Sequence, residues 1–158
     1  MGDLIQEILT RIGLITDFKF SAVWNNQFQY TENGQSYVFP MPCAFVEIIS
    51  DNNQDVAGKY QGSDIQINIH IGQEFYNGAK MEQNLSIFDL RDLVVKSFCN
   101  FKAEKTGVFI KTSEQQDFEH TNVYHFIVSF KTHFVDDTAA PEYIYTTPPT
   151  GLTIDRNG

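Results

Sequence analysis

One stretch limits the folds open to this chain more than any other: Val123–Val135, VYHFIVSFKTHFV. Its side chains alternate with the period of a β-strand. Tyr124, Phe126, Val128, Phe130 and Phe134 share one face; His125, Ser129, Lys131 and His133 share the other, with Ile127 and Val135 mixed in. At roughly 3.3 Å per residue such a strand reaches about 43 Å. A compact domain of 158 residues is about 40 Å across, so the strand crosses all of it. Every other element must pair with this strand or cover its aromatic face.

Gly58–Ile71 reads as the second long strand region. Ile65, Ile67, Ile69 and Ile71 line one face, while Gln66, Asn68 and His70 line the other, which marks a half-buried antiparallel strand with one wet or partner-facing side. Gly58 and Gly62 suit bulges. Cys43–Ser50 is apolar around Glu47 and reads as a central strand covered on both faces. Asp51–Asp55 reads as a polar loop. It imitates the opening of a calcium loop, but Val56 stands where Gly is required and Gly62 where the closing Glu belongs, so no calcium site is expected. Shorter strands are expected within 18–31 and 36–39, interrupted by Asn25-Asn26 and joined through the Asn33-Gly34 turn, with Pro40-Met41-Pro42 irregular. Thr106–Thr112 is expected to form a short strand, joined to the long one across an acidic loop tip, Ser113–Thr121.

Helical spacing occurs twice. Leu4, Ile5, Ile8, Leu9 and Ile12 make one stripe over residues 3–15, with Asp3 and Gln6 as a capping box and Gly13 as the stop. After a loop over 72–83, Ser86 is the expected N-cap of a helix to about Phe101, with Ile87, Leu90, Val94, Phe98 and Phe101 as its apolar stripe. The expected fold is therefore α+β: a mostly antiparallel twisted sheet with long strands, covered on one face by the N-terminal amphipathic helix and the helix at about 86–101. Residues 1–137 are expected to form a single domain and 138–158, rich in proline, an extended C-terminal arm, either mobile or lying on a neighbour through Tyr143, Ile144 and Tyr145.

Composition removes several functions. Eleven Lys and Arg face twenty Asp and Glu, a net charge of −9, and the cations form no run, so no sequence-specific nucleic-acid footprint is expected. The N-terminal stretch does not read as a signal peptide and no apolar run approaches a membrane span, so a cytosolic protein with reduced Cys43 and Cys99 is expected. No nucleophile elbow, phosphate loop, dinucleotide fingerprint, zinc-protease motif or Cys-x-x-Cys occurs. Glu114, Asp117, Glu119 and His120 fall in the expected loop tip, a solvated setting unsuited to acid–base work. If the strands at 65–71 and 123–135 are neighbours, His70, His125 and His133 can share a sheet face, but they lack ligand spacing within a segment, so neither a catalytic residue nor a metal or cofactor site is expected. Gln66, Asn68, His70, His125, Ser129, Lys131 and His133 are expected instead to form a partner-facing sheet surface.

The order of these elements resembles a known family. The N-terminal helix is followed by the Pro-led strand Pro42-Cys43-Ala44-Phe45-Val46-Glu47-Ile48 and by the alternating strand Ser63–Ile71. A helix with Ile87, Leu90, Leu93 and Val94 comes next, and the long strand ends in Phe134-Val135-Asp136-Asp137. Over residues 3–137 this is similar to the tail terminator, or tail completion, proteins of long-tailed bacteriophages and prophages, with the aromatic 18–40 segment departing from the shortest members. The resemblance implies a non-enzymatic subunit of a homo-hexameric ring that caps the tail tube, stops its polymerisation and receives the head–tail connector. It places the protein in the bacterial host cytoplasm during assembly and then in the virion tail, its acidity suiting a lumen through which DNA slides. Two other readings stay open. One is an enzymatic or ligand-binding α+β cone with a pocket of Phe98, Phe101, Phe126, Phe130 and Phe134. The other is a different phage component, such as a head-completion or tube protein.

Overall fold

The computed structural model describes residues 1–29, 39–75, 81–120 and 123–140. Helix α1 (Gly2–Gly13) precedes strands β1 (Phe20–Val23), β2 (Cys43–Ala57) and β3 (Tyr60–Glu74); helix α2 (Met81–Phe98) then leads to β4 (Ile110–Asp117) and β5 (Val123–Asp136). The strands form one five-stranded sheet in the order β1-β2-β3-β5-β4. Only β1 runs parallel to its neighbour, and the other pairs are antiparallel. The α+β architecture expected from the sequence is the one present.

Strands β3 and β5 are the spine, paired without interruption from Gln61–Asp136 to Glu74–Val123. Their inner faces carry the isoleucine row of β3 and Phe126, Val128, Phe130 and Phe134 of β5, all buried. Onto them pack Leu4, Ile8 and Ile12 of α1 and Ile87, Leu90, Val94 and Phe98 of α2. The stripes read from sequence are the buried ones. The phenylalanines proposed as a pocket lining, Phe98, Phe126, Phe130 and Phe134, belong to this core, with Phe101 packed against it. Arg11 ties the helices together: its Nε–H donates to the Ser97 carbonyl at 2.6 Å and its guanidinium lies 4.1 Å over the Phe101 ring. A cation at the end of α2 also complements that helix's dipole.

Several boundaries differ from the sequence reading. Helix α1 begins after Met1 with no side-chain cap, so Asp3 and Gln6 do not form the expected box, and Leu14 closes it in a right-handed conformation. Helix α2 starts at Met81, which turns the end of the expected loop into helix; Ser86 lies inside it, where its hydroxyl accepts the Gln73 Nε2–H at 2.8 Å. Asp51–Asp55 is not a loop. Strand β2 runs through it to Ala57, with a register shift between Asp51 and Gln54, and turns back through Gly58-Lys59. Both turn residues have positive φ, 58° and 71°, the geometry of a two-residue hairpin turn that matches strand twist, so Gly58 serves the turn and not a bulge. Gly62 does face the register shift, opposite Gln54. The expected strand at 106–112 is displaced: Thr106 and Val108 make isolated bridges, and β4 occupies Ile110–Asp117, which includes most of the supposed acidic tip. Among the described residues of the 18–31 segment the strand is limited to β1, and Asn26, at φ 56°, makes the expected turn. The expected strand at 36–38, the Asn33-Gly34 turn, and the arm with Tyr143, Ile144 and Tyr145 lie outside the described residues.

A second cover, unforeseen in the sequence, sits on the outer face of the sheet. Phe28, Met41, Cys43, Phe45 and Val123 form a separate buried cluster, with Ala22, Trp24 and Phe39 packed against it. It covers one end of that face and leaves the other open. Among the described residues no helix is long and apolar enough to cross a membrane.

Candidate functional site

Strand register arranges the outer face in rows. The first row is Cys43, Gly72, His125 and Asp117; the second is Phe45, His70, Ile127 and Gln115; the third is Glu47, Asn68, Ser129 and Ser113. A fourth row, Ile49, Gln66, Lys131 and Ile110, and then Asp51, Asp64 and His133, continue to the far end. Polar residues on the first three rows lie under or beside the aromatic cover. Those on the last two meet solvent.

Gly72 makes the covered end possible. Without a Cβ it leaves room for the Phe28 ring, which stands edge-on to His125 at 4.8 Å between centroids. Trp24 lies flat on His70, centroids 4.0 Å apart and planes 9° from parallel. Under this lid four groups form a line. His70 Nε2 is 3.4 Å from Glu47 Oε2, His70 Nδ1 is 3.0 Å from His125 Nε2, and His125 Nδ1 is 3.1 Å from Asp117 Oδ2. His120, in the turn after β4, brings its Nε2 to 3.6 Å from the same Asp117 oxygen. The network extends inward as well: Asn68 Nδ2–H donates to Glu47 Oε2 at 2.6 Å, and Ser129 Oγ–H and Gln66 Nε2–H donate to Asn68 Oδ1 at 2.8 and 2.9 Å.

Burial governs the charges here. It pushes the His125 imidazole down to about 4, with nearby His70 adding to the effect and Asp117 opposing it. It also lowers His70, against the hydrogen bond and charge of Glu47. Both rings are therefore neutral at pH 7. Burial opposes ionisation of Asp117, but the Glu119 N–H donating to its Oδ1 at 2.9 Å, with the neighbouring histidines, outweighs that and holds the carboxyl below its ordinary value. Cys43, buried beside Phe28, is pushed up to about 12 by desolvation and is an unreactive packing thiol.

The surface expected to face a partner thus divides. Asn68, His70, His125 and Ser129 are buried within the subunit itself, whereas Gln66 is half-buried and Lys131 and His133 are exposed. The structure joins His70 to His125 but leaves His133 apart, 3.2 Å from Asp64 at the open end. The four residues assigned to a solvated tip separate too. Glu114 lies on β4, where Arg91 Nε–H of α2 donates to it at 2.8 Å; Glu119 is exposed; Asp117 and His120 belong to the buried cluster. Sequence reasoning missed Glu47, Asp117, His120 and the Trp24 and Phe28 lid. The usable signal was the spacing Asp117, His120, His125 about a hairpin turn, because antiparallel pairing sets Asp117 directly opposite His125.

Among the described residues, Asp117, His120 and His125 are the set that could hold a metal ion, one donor atom from each lying within 4.8 Å of the others. No protein-family model matches the sequence, and a search among curated proteins returns no match.

Proposed function

We propose that this chain is a structural assembly protein: a tail terminator of a long-tailed bacteriophage or prophage that closes into a ring with copies of itself. In that role it caps the tail tube and receives the head–tail connector, in the host cytoplasm first and then in the virion tail. It acts through surfaces and carries out no reaction. The order of elements over residues 3–137 supports the family. One observation carries self-assembly: the uncovered end of the sheet's outer face. There Ile49, Val108 and Ile110 are 45, 44 and 64% exposed around an open cleft of about 480 Å³. Gln66 and Lys131 lie between the two isoleucines in one row, and β4 beside them is the edge strand among the described residues. Lys131 shares the cleft with Asp51, Asp64 and His133, so charges of both signs rim the apolar patch and a second copy can meet it with complementary ones.

Light scattering behind gel filtration tests the reading. Mass is expected to climb with concentration from the 18.1 kDa subunit toward a hexamer, with a central hole visible in negative stain. A monomer at every concentration that also fails to bind preformed tail tubes would overturn it.

A further inference from the structure

The end of the β4–β5 hairpin holds a set of side chains that assembly does not use. Asp117 closes β4, His120 follows in the turn, and His125 lies opposite Asp117 on β5. Donor atoms bound tetrahedrally to Zn²⁺ at about 2.0–2.1 Å stand roughly 3.3–3.4 Å apart. The Asp117–His125 and Asp117–His120 separations, 3.1 and 3.6 Å, bracket that value. The donor atoms of all three residues lie within 4.8 Å of one another, so the set closes on an ion when the two ring nitrogens draw together.

The hydrogen count along the adjoining line is compatible with a cation at this point. The line Glu47, His70, His125, Asp117 has three contacts, each between atoms that need one hydrogen between them. Two neutral imidazoles carry one N–H each. Two hydrogens fill only two of the three contacts: one pair of tautomers leaves Nδ1 of His125 bare against Asp117, another leaves Nε2 of His70 bare against Glu47. In the first case a cation at that point turns both atoms into ligands. Its tautomers are the ones a ligating histidine needs: bound through Nδ1, His125 donates Nε2–H to His70, which donates its own Nε2–H to Glu47. That is the carboxylate-anchored outer shell of metal-bound histidines.

We propose that Asp117, His120 and His125 bind one Zn²⁺-class divalent cation per chain, with His70 and Glu47 orienting His125 from behind. Two imidazoles and one carboxylate suit Zn²⁺, or Co²⁺ as a probe, and do not suit Ca²⁺ or Mg²⁺, which take mostly oxygen ligands. A fourth ligand, water, enters from the Asp117 side, whose side chain is 25% exposed against 4% for His120 and 1% for His125. The cation ties the end of β4, the turn and β5 into one unit beneath Phe28. The inference goes beyond the assembly reading and stands or falls without it.

The test uses the full chain without a polyhistidine tag, stripped by chelator and moved to metal-free buffer. Zn²⁺ is titrated by calorimetry and Co²⁺ by its visible absorption. One site per chain is expected, with the intense visible bands of four-coordinate Co²⁺. His120→Ala and Asp117→Asn should each weaken binding at least tenfold, and His70→Gln by a smaller factor. His133→Ala, at the exposed His133–Asp64 pair, should leave it unchanged. The absence of saturable Zn²⁺ binding, or one-to-one binding that survives both ligand substitutions, would overturn the site. Should a variant fail to fold, the Co²⁺ spectrum of the unaltered chain decides: the pale spectrum of the hydrated ion overturns the proposal.

Discussion

Gly72 and Phe28 share a space with no room for a methyl group. A Cβ on Gly72 would sit 2.7 Å from Phe28 Cε1, closer still to its Cζ, and 3.0 Å from Cys43 Sγ. Phe28 is fully buried and cannot swing into solvent without uncovering His125. Gly72→Ala should therefore destabilise by about 1–3 kcal/mol, the usual result of overpacking, and urea unfolding would measure it. The histidine beneath predicts a pH dependence. In chelated protein His125, facing His70, Asp117 and His120, titrates at about 4, against 6.5 for an unburied histidine. Between those values the unfolded chain binds a proton that the native chain does not, so stability is complete above about pH 6.5 and falls as pH drops toward 4. The difference corresponds to roughly 3 kcal/mol, and the lowered His70 acts in the same direction. Urea midpoints across that range read it; a flat profile would mean that His125 is protonated in the native state.

The helices illustrate how elements divide between those the sequence makes plain and those it hides. Phe98 of α2 is fully buried, with Phe101, Phe109 and Phe130 around it. Phe98→Ala should cost about 3–5 kcal/mol, seen as an early thermal transition. Stripe residues such as this were legible because a helix or strand with one buried face repeats its hydrophobic residues at its own period. The same holds for the isoleucines of β3 and the aromatics of β5. Residues 51–57 gave no such signal. Asp51 and residues 53–56 are exposed, so the ladder to β3 holds the stretch as strand while its sequence reads as a loop. Strand β4 hid for a related reason: Ser113–Asp117 is polar, with no apolar alternation to mark it, and its pairing with β5 is what holds it as strand. The candidate site failed at the same step. Histidines on a polar face look solvated until another segment covers them, and Trp24 and Phe28, distant in sequence, supply that cover. Helix ends were misplaced because Ser86 resembles a cap wherever it stands, while the turns before it carry no apolar stripe.

At the scale of the whole molecule the outer face has two ends with opposite fates. One is sealed by aromatic side chains and holds ionisable groups away from water; the other leaves apolar side chains and charges of both signs in solvent. A monomer tolerates scattered exposed hydrophobics, but Ile49 and Ile110 lie at two ends of a single row across β2, β3, β5 and β4, with Val108 beside them in one cleft. Because both isoleucines are largely exposed, charging them leaves the inner core untouched. The double substitution Ile49→Lys and Ile110→Lys should change folding stability by no more than about 0.5 kcal/mol each. If this row is where copies meet, the same protein buries two unpaired charges in the contact and should run as an 18.1 kDa monomer at concentrations where the unaltered chain assembles. Light scattering and a thermal melt on one sample separate the effects. Unchanged melting with lost mass assigns the contact to the open row, whereas unchanged melting with unchanged mass moves it to another surface.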